Sequence, residues 1–221
     1  MVKPTSPTPP LRRRSFRHWT LRYLIDRTRD RWYQATHPAE PWLTPLAIQF
    51  LNACLKPTDR GLEFGSGRST LWLARRVAHL TSVEHAPAWY EHTRQALSAQ
   101  SLANVDYHLA SCEGNDPSAY VAMASQFPAQ SLDFVLVDGV FRDACANAAL
   151  DKLAPGGLII LDDAHRYLPS RSIAPLARTP AQGPASPAWA DFMAATQTWR
   201  CLWTSKGVSD TAIYIKPCSK V

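Results

Sequence analysis

The chain has 221 residues, 46% hydrophobic and 19% charged, enough for one compact domain with a substantial core and some extra segments. No apolar run reaches the roughly 18–20 residues of a membrane-spanning helix, and the proline-rich, then basic, start shows no apolar leader, so a cytoplasmic protein is expected. The net charge of +6 belongs to an arm: residues 1–31 hold Lys3 and eight arginines against Asp26 and Asp30, a net +7, which leaves −1 for the other 190 residues. A nucleic-acid-binding face on the body is therefore not expected. The five cysteines (Cys54, Cys112, Cys145, Cys201 and Cys218) are an odd number with no Cys-x-x-Cys spacing. They read as reduced, mostly buried thiols rather than a metal site or a nucleophile.

In chain order, residues 1–40 form a basic, partly disordered arm and helix. "MVKPTSPTPPLRRR" has little to bury. "SFRHWTLRYLIDRTRDRWYQ" then sets Phe16, Trp19, Tyr23, Leu24 and Trp32 among arginines at helical spacing. Its aromatics are expected to pack on the body with the arginines in water; the competing expectation is a peripheral contact with anionic membrane or a partner protein. A second helix is signalled by the capping residue Thr44 and by Pro45 in the first turn, with Leu46, Phe50, Leu51 and Leu55 on one face.

Beyond it, strand-like runs at 61–64, 80–85, 105–110, 132–139 and 157–163 alternate with helix-like runs at about 69–79, 87–99, 116–126 and 142–153. This alternation predicts an α/β domain over 41–221, a Rossmann-like doubly wound sheet that is mostly parallel. Residues 166–190 are rich in proline, alanine and serine and predict a lid-like surface excursion rather than core. "TWRCLWTSKGVSDTAIYIKP" predicts a C-terminal antiparallel hairpin around a Lys-Gly turn, which makes seven strands. Six are expected parallel, with the last-but-one inserted in reverse of chain order.

The run "GLEFGSGRST" decides the ligand class. A triphosphate loop anchored on Gly67 would need glycine at Leu62 and lysine at Arg68, and Glu63 is an awkward charge beside a polyphosphate. A dinucleotide fingerprint fits a little better, because Gly65-x-Gly67 opens a helix and Glu84 ends the next strand, where an acid takes ribose hydroxyls. The third glycine of that fingerprint is missing. The spacing alone specifies an adenosine ligand on a doubly wound sheet.

"LEFGSGRSTLWLA", "TSVEHAPAWYE", "LDFVLVDG" and "LAPGGLIILDD", in this order, resemble the class I S-adenosylmethionine-dependent methyltransferases. The branch they most resemble is the small O-methyltransferases that modify catechols and macrolide sugars. The resemblance covers residues 60–165, the hairpin in outline and the first forty residues not at all. It implies S-adenosylmethionine as cofactor and a small-molecule acceptor. Glu63 suits the cofactor's amine, and Gly65, Ser66, Gly67, Ser69 and Thr70 form the close-approach turn. Glu84 suits the ribose, while His85 with Ser111 or Cys112 suits the adenine.

Asp138 ends the fourth predicted strand, and Asp162 and Asp163 end the fifth. By the same resemblance these three carboxylates are candidate Mg²⁺ ligands that would orient an acceptor hydroxyl. The alternative is that Asp138 positions cofactor or substrate while Asp162 and Asp163 cap a turn. The lysine base of the catechol-type enzymes has no counterpart in "DGVFRD", where Arg142 is a poor proton acceptor and suits an acidic substrate group or a cleft carboxylate instead. His165 is then the nearest candidate base. "HPAEPWLT", with Trp42, and the 166–190 segment are expected to wall the acceptor pocket. Two rivals remain: an aminopropyltransferase-like enzyme on the same platform, and a non-catalytic S-adenosylmethionine-binding protein. The oligomeric state is left open.

Overall fold

The computed structural model describes residues 20–112 and 116–218. The proline-rich start, Phe16 and Trp19 lie outside the described residues. The arm's described part is α1 (Leu21–Thr36), capped by Thr20, whose hydroxyl accepts the Tyr23 N–H at 3.2 Å. Of the aromatics expected to pack inward, Tyr23 does and Trp32 does not. Tyr23, Asp26, Asp30 and Tyr33 form the half-buried side, whereas Trp32 stands 67% exposed. The cause is electrostatic: Lys206 pairs with Asp30 at 3.0 Å in a mostly covered contact, and the Asp26 carboxylate lies over Gly207. A charge so withdrawn from water needs its partner, and this fixes which side of the helix faces the body.

The second helix, α2 (Pro45–Cys54), begins as its sequence predicts, with the Thr44 hydroxyl accepting the Ala47 N–H. The buried face is Ala47, Ile48 and Leu51, while Leu46 is 59% exposed. The expected face is thus rotated, because the small Ala47 lets the helix sit close to the sheet.

Seven strands follow: β1 (Arg60–Phe64), β2 (His79–Glu84), β3 (Val105–Leu109), β4 (Leu132–Val137), β5 (Leu153–Asp162), β6 (Arg200–Ser205) and β7 (Asp210–Ile215). Their spatial order is β3-β2-β1-β4-β5-β7-β6, with β7 antiparallel to both neighbours and the other six strands sharing one direction. Between them lie α3 (Arg68–Ala74), α4 (Pro87–Ala99), α5 (Ser118–Val121), α6 (Arg142–Ala149) and α7 (Pro187–Ala195). This is the doubly wound, mostly parallel α/β fold with a C-terminal antiparallel hairpin.

Some elements are shorter than their sequence patterns. α3 stops at Ala74 because the Asn104 amide takes the carbonyls of Ala74 and Val77. α6 stops at Ala149 because Leu153 already pairs with Leu132 in the sheet.

Alternation along β4 shows the two layers. Val135 and Val137 join one core with Cys145, Ala146 and Phe192, and Phe134 and Leu136 join the other with Ile48, Leu51 and Trp72. Every one of these residues is at most 2% exposed, as a sheet covered on both faces requires. The 166–190 excursion lies mostly at the surface and is anchored in the core by Leu168, Ala174 and Trp189. Its backbone is tied by Arg178, which donates to the carbonyls of Gln182, Gly183 and Pro184. Against the expectation of mostly buried thiols, only Cys145 among the cysteines is buried, and Cys201 and Cys218 are exposed.

Candidate functional site

The reversal of strand order between β1 and β4 opens a crevice at the carboxyl ends of the strands, where such sheets bind ligands. Gly65 turns the chain out of β1 at φ +91°, and a Cβ there would stand 2.6 Å from the Gly139 nitrogen. No side chain fits between the ends of β1 and β4, so this glycine is required. Gly67 (φ +154°) has room for a methyl group, but its backbone conformation is one that residues with a side chain rarely adopt. Its N–H donates to the Thr70 hydroxyl at 2.9 Å, which donates in turn to Glu63 at 2.6 Å. The Ser82 hydroxyl donates to the same carboxylate oxygen at 2.6 Å.

Glu63 is completely buried, and burial raises its pKa to about 7, against the pull of the Ser69, Ser82 and Thr70 hydroxyls. It stands behind the glycine turn and holds it from below, outside the cavity lining.

Glu84 is 3% exposed at the end of β2. One of its oxygens accepts the Ser66 N–H at 3.0 Å and the Ser66 hydroxyl at 2.8 Å, and the other accepts the N–H groups of His85 and Ala86 at 2.9 Å. Ser66 also lies 2.6 Å from the Tyr107 hydroxyl, so its hydroxyl has a second partner if a ligand takes its place on Glu84. Trp89 donates its indole N–H to the Ser66 carbonyl at 2.6 Å.

Two adjoining cavities lie over these residues. The first, about 550 Å³, is lined by Gly65, Ser66, Gly67, Ser69, Glu84 and Asp138, together with Trp42, Arg68 and Trp89. The second, about 620 Å³, is lined by Cys112, Phe141, Arg142, Tyr167, Ser186 and Trp189. His85, Gly139 and Val140 line both.

The structure therefore brings the glycine turn, Ser69, Glu84, His85, Asp138 and Cys112 to one crevice. Thr70 is buried beneath it, and the exposed Ser111 lines neither cavity. Trp42 faces the first cavity and the excursion faces the second.

Arg68 was read from sequence only as a failed lysine. It lines the first cavity with its guanidinium 5.5 Å from the Trp42 ring centroid, and one of its nitrogens is buried without a hydrogen-bond partner. Gly139 and Tyr107 were also missed. Tyr107 is half-hidden in a strand pattern that gives no sign of its reach across β2, and Gly139 matters only through its approach to Gly65.

The ends of β4 and β5 do not assemble the expected magnesium set. Arg142 donates to the carbonyls of Gly139, Asp162 and Asp138 at 2.8, 2.6 and 2.7 Å, and to the Asp138 carboxylate at 2.9 Å. Asp162 faces the Thr211 hydroxyl at 3.1 Å, and Asp163 pairs with Arg166 at 3.2 Å. Among the described residues no three His, Cys, Asp or Glu side chains are placed to hold a metal ion. The donors do not fit Mg²⁺, since each carboxylate is already answered by an arginine or a hydroxyl. Burial raises the pKa of Asp138 to about 6, with Arg142 opposing, and raises that of Asp162 well above the carboxylate range. Arg142 is thus a clasp between two strand ends rather than a free anion receptor.

His165 does not reach the crevice. It is 2% exposed, its Nδ1 accepts the Asp210 N–H at 3.3 Å, and it lines neither cavity. Burial lowers its pKa, and its carbonyl accepts the Arg178 N–H of the excursion at 2.8 Å. Its geometry is that of a packing residue that fastens the excursion to β7.

Residues 62–164 match the model of a family described as a methyltransferase domain. A search of curated proteins returned no match. Among solved structures, a Corynebacterium glutamicum protein is similar at TM-score 0.58 and 13% identity, over 89% of this chain and 91% of that one. A methyltransferase from Geobacter sulfurreducens is similar at 0.56 and 13%, over 87% and 89%. An rRNA methylase from Streptococcus thermophilus is similar at 0.53 and 12%, over 79% and 95%. At these identities the likeness establishes the fold and leaves the acceptor open. Residues 62–164 are thus similar to a methyltransferase domain, on a fold that the chain shares with a methyltransferase of known structure.

Proposed function

We propose that the chain transfers a methyl group from S-adenosylmethionine to a hydroxyl of a small molecule, without a metal ion. The observation that supports this most is the first cavity, where the glycine turn, Glu84, His85 and Asp138 converge. When bound, the cofactor supplies an electrophilic methyl on a sulfonium. Glu84 would hold the ribose by exchanging the Ser66 hydroxyl, which then pairs with Tyr107. His85, Cys112 and Val140 would take the adenine. Ser69 and the unpartnered guanidinium nitrogen of Arg68 suit the tail carboxylate, a charge-assisted contact that gives this nitrogen its missing partner. Trp42 would close the acceptor side of the first cavity and exclude water.

Asp138 replaces His165 as the proposed base. It lines the first cavity, and its pKa near 6 leaves it ionised at neutral pH yet basic enough to take a hydroxyl proton. The acceptor of the rRNA methylase neighbour is not adopted, because the body outside residues 1–31 has a net charge of −1 and offers no surplus of cations to a phosphate backbone.

The test is transfer of labelled methyl from S-adenosylmethionine to a panel of hydroxylated small molecules, with an RNA transcript in parallel. Label on a small-molecule hydroxyl supports the reading, and label on RNA alone would overturn it. Asp138→Asn should slow turnover by roughly a hundredfold or more while cofactor binding persists.

A further inference from the structure

We propose that the outward side of α1 docks on an anionic lipid surface. Leu21, Leu24, Ile25, Thr28, Arg29 and Trp32 recur at the spacing of one helical stripe. Leu21 is 76% exposed, Trp32 67%, Ile25 43% and Leu24 42%. The stripe frames a shallow groove of about 450 Å³. An exposed aliphatic and tryptophan stripe on a basic helix is the pattern of elements that lie in the membrane interface. Nearby, Arg22 reaches the Ile173 carbonyl at 3.5 Å, and this brings the exposed Ile173 and Leu176 of the excursion toward the start of the helix.

Charge decides the occupant. Residues 1–19, which lead directly into α1, carry Lys3, Arg12, Arg13, Arg14 and Arg17 and no acidic residue. On the helix itself, Arg22 and Arg29 are largely exposed and reach Asp26 at 3.5 and 4.0 Å, whereas Asp26 and Asp30 themselves are mostly covered and turn toward Gly207 and Lys206, so the unanswered cations are chiefly those of residues 1–19. A second copy of this face would meet the first with like charges and no free acid to offset them. Anionic headgroups neutralise the cations while the acyl boundary takes the leucine, isoleucine and tryptophan side chains. The inverted helix thus has a purpose: its polar side is spent on the body, which leaves the apolar side for the bilayer. Among the described residues no helix is long and apolar enough to cross a membrane, so the contact is peripheral.

The full chain is to be floated with phosphatidylcholine vesicles, with and without phosphatidylserine, alongside the exposed-site variant Ile25→Ser/Trp32→Ser. The expected result is binding that needs phosphatidylserine, is released by salt and falls at least about tenfold in the variant. Absence of binding to phosphatidylserine vesicles, or binding unchanged in the variant, would overturn the proposal. So would a dimer in sedimentation that the same two substitutions dissociate, since it would show that a second copy covers the stripe.

Discussion

The two ends of the crevice treat their carboxylates in opposite ways. At the β1–β2 end, Glu84 and one oxygen of Glu63 are answered by hydroxyls and backbone N–H groups, the other Glu63 oxygen is buried without a hydrogen-bond partner, and among the described residues no arginine or lysine pairs with either acid. At the β4–β5 end, Asp138 and Asp163 are answered by Arg142 and Arg166. Neutral donors can yield to a ligand at modest cost, as Ser66 can on Glu84. A guanidinium with four short bonds to two strand ends cannot. The first end is therefore built to exchange partners and the second to hold the sheet together, which is why a metal set read from three aspartates does not form.

The largest losses are expected where the clasp or the glycine turn is broken. Arg142→Met leaves the half-buried Asp138 carboxylate and the carbonyls of Gly139 and Asp162 without their donor, and denaturant unfolding should show a loss of about 2–3 kcal/mol. A loss below about 1 kcal/mol would mean that the two ends differ less than their geometry indicates. At the opposite end, Gly65→Ala forces a Cβ against the Gly139 backbone at φ +91°. It should lose about 2–3 kcal/mol and the cofactor with it, whereas Gly67→Ala, where a Cβ meets only the Trp89 ring at 3.5 Å, should lose about 1 kcal/mol. Equal losses at the two glycines would refute the close approach of β1 and β4 as the reason for Gly65.

A more gradual effect follows from pH. Glu63 has its folded pKa raised from 4.5 to about 7, so the folded state favours the protonated acid. Its contribution is fully present below pH 4.5, is lost as pH rises to about 7 and is constant above that. Glu63→Gln, which mimics the protonated acid, should remove this decline, on the order of 3 kcal/mol across the window. Asp138, raised to about 6, adds a decline of the same sign that the substitution leaves in place. The smallest expected effect is that of EDTA, which should leave methyl transfer unchanged; a loss restored by Mg²⁺ would reinstate the carboxylate set at the β4–β5 end.

The strand ends explain what could be read in advance. Strand and helix alternation, the glycine turn and Glu84 follow from local patterns, because a doubly buried strand and a backbone at positive φ each demand particular residue types nearby. Arg142 meets a cleft carboxylate, one of the two roles its sequence offers, but its bridge between strands, like the roles of Arg68 and His165, depends on which strand ends meet in space. Arg142 bridges to Asp162, twenty residues away, and His165 meets Asp210, forty-five residues away. The same limit applied to α1, whose inward side is set by Lys206 and not by its own periodicity.

The central claim is that the crevice at the β1–β2 end is built for a sulfonium cofactor rather than a triphosphate. Titration calorimetry of the purified chain with S-adenosylmethionine and, separately, with ATP tests it most directly. The account predicts binding of S-adenosylmethionine and none of ATP; binding of ATP without S-adenosylmethionine would contradict it.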